Sequence, residues 1–135
     1  MDYENESLRQ NGWRTIIVKV GVLGYGTVGS GVVEILEKNK DIIAKRVGQE
    51  ISVKAVLDLR DFPGDPVEKV LVHDFDIVAN DPEISIVVET MGGVHPAYEF
   101  VKTCLENGKS VCTSYKALLA AYVPELMELT EKKNF

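Results

Sequence analysis

The apolar positions change period along the chain in a regular order. Ile16-Ile17-Val18, then Val20, Val22 and Leu23, form a run that is hydrophobic almost throughout, as expected of a strand covered on both faces. This predicts a first strand over about Ile16–Leu23. Past a glycine-rich break, the apolar residues fall at Val28, Val32, Ile35 and Leu36, the spacing of one helix face. The predicted helix starts near Thr27 and runs past Asn39 through Ile42 and Ile43 to Arg46, with Gly48 as its stop. Ile51–Asp58 reads as a second strand, and Arg60–Pro66 as a loop from its Pro, Gly and Asp content. Val70-Leu71-Val72 reads as a short third strand. Asp74 is placed to cap a short helix over Phe75–Ala79, which Asp81-Pro82 ends.

Ile84–Thr90 predicts a fourth strand that runs into Met91-Gly92-Gly93. The next helix begins at Pro96 and carries Ala97, Phe100, Val101, Cys104 and Leu105 on one side before Asn107-Gly108. Ser110–Thr113 reads as a short buried strand. A helical turn around Lys116–Ala121 and a last helix opened by Pro124, with Leu126, Met127 and Thr130 at helical spacing, complete the pattern. Strands alternating with helices predict an α/β fold with a parallel sheet and right-handed crossovers. Met1–Arg14 reads as a polar leader, so residues 1–15 are set apart from a single domain over residues 16–135.

Composition narrows the function. A chain of 135 residues, 45% hydrophobic and 27% charged, can bury a core as an ordinary globular protein does. A net charge of −6 without a basic cluster argues against binding a nucleic-acid backbone. No apolar run approaches a membrane span, and the leader lacks the apolar segment of a signal peptide, so a cytoplasmic location is the default expectation. Cys104 and Cys112 lack metal-ligand spacing and sit in apolar patterns. Both read as small core residues in a reducing compartment, and no metal site is expected.

The candidate chemistry centres on Gly24-Tyr25-Gly26-Thr27-Val28-Gly29, a G-x-G-x-x-G between a strand and a helix. Gly24 suits a tight turn, Gly26 lets a diphosphate approach the main chain, and Gly29 lets the helix pack closely. A helix start adds free N–H groups and partial positive charge. A glycine-rich turn without a ligand is the bland alternative. Ligands of open parallel sheets lie beyond the carboxyl ends of the strands. That adds Asp58 and Arg60 after the second strand, Thr90, Met91, Gly92 and Gly93 after the fourth, and Thr113 and Ser114, followed by Tyr115 and Lys116, after the fifth. An acid after the second strand accepts from the ribose hydroxyls of NAD, and an arginine there pairs with the extra phosphate of NADP. Both are present, and the choice stays open. Glu89 reads as a charge turned to solvent at the sheet edge, and His73 and His95 read as structural. Lys116 is the one side chain with acid–base potential, against the alternative of a surface lysine starting a helix.

The stretches VGVLGYGTVGSGVVEIL, DPEISIVVETMGG and ENGKSVCTSYKALLAAY, in this order, resemble the nucleotide-binding part of homoserine dehydrogenase over about Val18–Lys133. The resemblance implies a Rossmann-type, doubly wound parallel sheet with NADP or NAD as cofactor. It also implies an oxidoreductase that interconverts homoserine and aspartate semialdehyde on the route to threonine and methionine. On it, Gly24, Gly26, Thr27, Val28 and Gly29 match the phosphate-binding turn. Gly92 and Gly93 match the loop beside the nicotinamide ribose, and Lys116 matches the lysine proposed to move a proton at the substrate hydroxyl. Tyr115 stands where the family carries an asparagine, and Val123 where a glycine is common. The substrate and dimerisation domain of the family is missing from this sequence. The expectation is therefore an inactive fragment, able to meet the small-molecule substrate only with the missing domain, whose last helix leaves an apolar face that favours self-association. Two alternatives stay beside this one: a stand-alone, non-catalytic dinucleotide-binding module, and the Rossmann domain of another dehydrogenase.

Overall fold

The computed structural model describes residues 17–93 and 95–114. The polar leader, Tyr115, Lys116 and the two helical segments expected beyond them lie outside the described residues. Five parallel strands form one sheet: β1 Ile17–Leu23, β2 Glu50–Leu57, β3 Leu71–Val72, β4 Ile84–Glu89 and β5 Ser110–Thr113, in the spatial order β3-β2-β1-β4-β5. The strand order reverses at β1, which pairs with β2 on one side and β4 on the other. This is the switch point at which such sheets open a crevice beyond their carboxyl ends.

The alternation of side chains along the strands builds two cores. Val20, Val22, Val53 and Val56 face the helix α1 (Thr27–Lys38), where Val32, Val33 and Leu36 cover them. Leu23, Ala55, Leu57 and Val87 face the other way. They pack against Val78 of α3 (Phe75–Ala79) and Cys104 of α4 (Ala97–Glu106), with the Phe75 and Phe100 rings stacked 4.0 Å apart at the margin. Both faces of β1 are thus covered, which is why it is apolar nearly throughout.

The helix expected to run unbroken from Thr27 to Arg46 is two. Asn39 leaves helical dihedrals (φ −105°, ψ 21°) between α1 and α2 (Lys40–Val47). Asparagine is a weak helix former, and the break there starts a second helix that packs on β2. Gly48 closes α2 in the left-handed region at φ 78°, as anticipated. In the loop after β2, Pro66–Lys69 forms a 3-10 turn, started by Asp65 accepting from the Val67 N–H at 2.8 Å.

Two expectations are overturned. Glu89 is not at a solvated edge: it is fully buried, in the strand flanked by β1 and β5. Cys112 is exposed, because β5 is the last strand of the sheet among the described residues and Cys112 lies on the opposite side from Val111, which packs against the core.

Candidate functional site

Leu23 is followed by a turn that only glycine accommodates. Gly24 adopts φ +102°, with its N–H donating to the Leu57 carbonyl at 2.7 Å, and a Cβ there would lie 3.2 Å from the Met91 Cα. Gly29 answers a different need. A Cβ on it would fall 1.9 Å from the Gly24 carbonyl oxygen, so the first turn of α1 rests directly on the glycine turn. Gly26 has neither constraint: its backbone is extended, and a Cβ would meet nothing within 4 Å. The main chain at Gly26 is therefore open for a ligand to approach.

Gly26 also occupies the N-cap of α1, with no side chain to cap the helix and no acid in its first turn. The first helical bond is Ser30 N–H to the Gly26 carbonyl, at 2.9 Å. The amides of Gly26, Thr27, Val28 and Gly29 precede that ladder, and with the helix dipole they form an anion-seeking end. Met91, Thr90 and the turn are fastened together, since Thr90 Oγ1 donates to the carbonyls of Leu23 (3.1 Å) and Gly24 (2.9 Å).

Asp58, the residue after β2, is the polar centre of the adjoining loop. Its Oδ2 accepts from the Tyr25 backbone N–H at 3.0 Å and from Arg60 Nη2 at 2.9 Å, and its Oδ1 accepts from the Arg60 backbone N–H (2.9 Å) and Nε (3.0 Å). The Arg60 guanidinium, opposed in part by desolvation and aided by the two amides, holds the Asp58 carboxyl well below the usual carboxylate range. Arg60 also lies 5.2 Å over the Phe62 ring. Tyr25 edges against Phe62 at 4.9 Å, and its hydroxyl donates to Asp65 at 3.1 Å. Burial and that carboxylate push the phenol upward.

These loops enclose a cleft of about 400 Å³, within the range of small-molecule sites. Of the residues singled out in the sequence, Gly24, Gly26, Asp58 and Arg60 line it. Thr27, Val28 and Gly29 sit just past it in the first turn of α1, with Val28 exposed. Gly92 and Gly93 form a left-handed turn after β4 (φ 75° and 81°), outside the cleft lining, as are Thr113 and Ser114 at the end of β5. Met91, expected after the fourth strand, lines the cleft's apolar wall with Leu59, Phe75, Pro96 and Phe100, which sequence reasoning passed over, and His73, read as structural, lines the cleft too. Phe75 and His73 follow β3 directly, so the rule that placed Asp58 would have found them. His73 Nε2 lies 3.1 Å from Asp61, and His95 pairs with Glu99 one helical turn on. Among the described residues no group of three or more metal-ligating side chains converges, and no helix is long and apolar enough to cross a membrane.

Comparison with known proteins agrees with this geometry. The family model described as homoserine dehydrogenase, NAD binding domain, matches residues 24–135. The homoserine dehydrogenase of Pseudomonas aeruginosa is 41% identical over 118 residues, which cover 87% of this chain and 27% of that protein. That of Bacillus subtilis is 37% identical over 117 residues, covering 82% and 26%. Among solved structures, S. aureus homoserine dehydrogenase superimposes with a TM-score of 0.81 at 34% identity, covering 90% of this chain and 32% of that one. The Thiobacillus denitrificans homoserine dehydrogenase gives 0.79 at 37%, covering 89% and 28%. The chain spans about 27% of the length of the curated relatives it matches.

Proposed function

The chain belongs to the homoserine dehydrogenase family, as its NAD-binding domain, and on that premise we propose that its cleft takes the nicotinamide dinucleotide NAD or NADP across the carboxyl edge of the sheet. The observation that carries this is Gly26. The residue has open space where a side chain would stand, at the uncapped end of α1, so a diphosphate has both room and unpaired amides to meet. Asp58 is the acceptor suited to the ribose hydroxyls of the adenosine half, and Arg60 the cation suited to a 2′-phosphate. Leu59, Phe75 and Phe100 of the same cleft are suited to a purine face.

With the diphosphate at β1 and the adenosine over β2, the nicotinamide half falls over β4 and β5, beside Gly92, Gly93, Thr113 and Ser114. The nicotinamide, when bound, supplies the hydride chemistry. The residues of this chain bind and orient it. Lys116, two positions past Ser114, is proposed to exchange the proton at a substrate hydroxyl, in a protein of the relatives' full length. The proposed reaction interconverts homoserine and aspartate semialdehyde, in threonine and methionine biosynthesis in the cytoplasm. The remaining length of such a protein would hold the substrate and build the dimer. Residues 1–15 are proposed as a leader outside the binding domain. Neither nucleic acid nor membrane is a proposed partner.

Fluorescence titration of the 135-residue chain with NADH and NADPH tests the reading. Saturable binding of either, competed by ADP and abolished by Gly26→Val, is the expected result. Absence of binding to both overturns it, and homoserine oxidation by this chain alone overturns the assignment of substrate handling to the remaining length.

A further inference from the structure

Glu89 has no place in the cleft, yet it is the largest polar side chain fully withdrawn from water among the described residues. It lies level with Leu23 of β1 and Thr113 of β5, in the last layer of the sheet before the loops begin. Its Oε2 accepts from the Met91 backbone N–H at 2.7 Å, and its Oε1 accepts from the Thr113 hydroxyl. Its main-chain carbonyl accepts from the Ser114 N–H at 3.1 Å and the Ser114 hydroxyl at 3.3 Å. An apolar residue would fill the same space without the cost of desolvating a carboxylate. What the carboxylate adds is two directed bonds, forward to the loop after β4 and sideways to the exit of β5.

The neighbouring residue divides the work. Thr90 points to the opposite side of the strand and fastens the glycine turn through the carbonyls of Leu23 and Gly24. Consecutive residues therefore fix different loops: Thr90 holds the diphosphate turn, and Glu89 holds Met91 and Thr113-Ser114. With the diphosphate at β1 and the adenosine half over β2, the loops that Glu89 ties together flank the place left for the nicotinamide half.

We infer that Glu89 is a positioning residue for the nicotinamide half of the dinucleotide, setting the distance between the loop after β4 and the end of β5 without touching the ligand. The inference rests on the proposed dinucleotide site. It separates Glu89 from a merely structural buried acid, whose loss would weaken every ligand alike.

The test compares ADP, which carries the adenosine and diphosphate, with NADH, on the 135-residue chain by calorimetric titration. The wild type is expected to bind NADH more tightly than ADP. Glu89→Ala and Thr113→Val should each weaken NADH by about tenfold, the size expected when a buried donor loses its acceptor or an acceptor its donor, while ADP changes less than about twofold. Glu89→Gln, which offers an oxygen to Met91 and an amide to Thr113, should restore NADH to within about threefold of the wild type. Should Glu89→Ala fail to fold, Thr113→Val carries the test, since it removes one hydroxyl from β5, the last strand of the sheet among the described residues. Equal losses for NADH and ADP, no loss in Thr113→Val, or a wild type that binds NADH no more tightly than ADP each overturn the inference while leaving the dinucleotide site standing. A wild type that binds neither ligand overturns both.

Discussion

The backbone N–H of Tyr25 donates to the Asp58 carboxylate across 3.0 Å, joining the glycine turn after β1 to the first residue past β2. One oxygen thus serves a main-chain amide of the turn and the Arg60 guanidinium together. Asp58 is expected to hold the shape of the cleft as well as to meet a ribose. Asp58→Ala leaves the Tyr25 amide and the Arg60 guanidinium without that acceptor and should lower the unfolding free energy by about 1–3 kcal/mol, measured by urea denaturation. The sign of the pH dependence follows from the lowered carboxyl of the folded state. The stabilisation is fully present above the unfolded carboxylate pKa of about 3.9 and is lost as pH falls through the folded value, which lies lower. The gap between wild type and Asp58→Asn in urea midpoint should therefore stay level from pH 7 to about pH 5 and narrow only below about pH 4. A gap that closes between pH 7 and 5 would assign the effect to another group.

Arg60 separates the two cofactors. Its guanidinium is anchored on Asp58 through Nε and Nη2 and braced over Phe62, while most of the side chain stays exposed. A cation held in this way is preorganised for a phosphate on the neighbouring ribose hydroxyl. Arg60→Ala should weaken NADPH by about tenfold and NADH by less than about threefold. Equal effects on the two would show that the guanidinium serves Asp58 alone.

Gly29 offers a steric test of the turn. A methyl group at this position would sit 1.9 Å from the Gly24 carbonyl oxygen and 2.8 Å from Thr90 Oγ1, the first of them backbone and the second hydrogen-bonded to it. Gly29→Ala should lift α1 from the turn, lower the melting temperature by several degrees and weaken NADH at least about tenfold. Gly31→Ala is the control: a Cβ there meets nothing within 4 Å, and it should bind as the wild type does.

Much of this arrangement was legible in the sequence, for physical reasons that differ by element. β1 and the glycine turn were readable because a strand buried on both faces and a helix resting on its turn leave few residue choices at Gly24 and Gly29. Asp58 followed from the switch-point rule. Glu89 was misread because a charge ending a strand is usually solvated. The informative signal was its place two residues after Val87, on the same face of a strand with neighbours on both sides. Cys112 failed for the converse reason: its apolar neighbours suggest burial, but on β5, the last strand of the sheet among the described residues, the side opposite Val111 is open. The break at Asn39 lay below the resolution of a helical period that continues on either side of it.

The two cysteines turn that last contrast into a measurement. Cys104 is completely enclosed between α4 and the sheet, and burial pushes its thiol up to about 11, against a small opposing pull from Lys109. At pH 8 about one in a thousand of its molecules would carry the reactive thiolate, and the reagent has no path to it. Cys112 is exposed on β5. A chromogenic disulfide reagent at pH 8 should therefore titrate one thiol rapidly in the native protein and the second only after denaturant is added. Cys112→Ser should remove the fast phase, and Cys104→Ala should remove the slow one at the cost of a cavity in the core. Two fast thiols would mean that α4 does not close over the sheet. No fast thiol would mean that the β5 face opposite Val111 is covered.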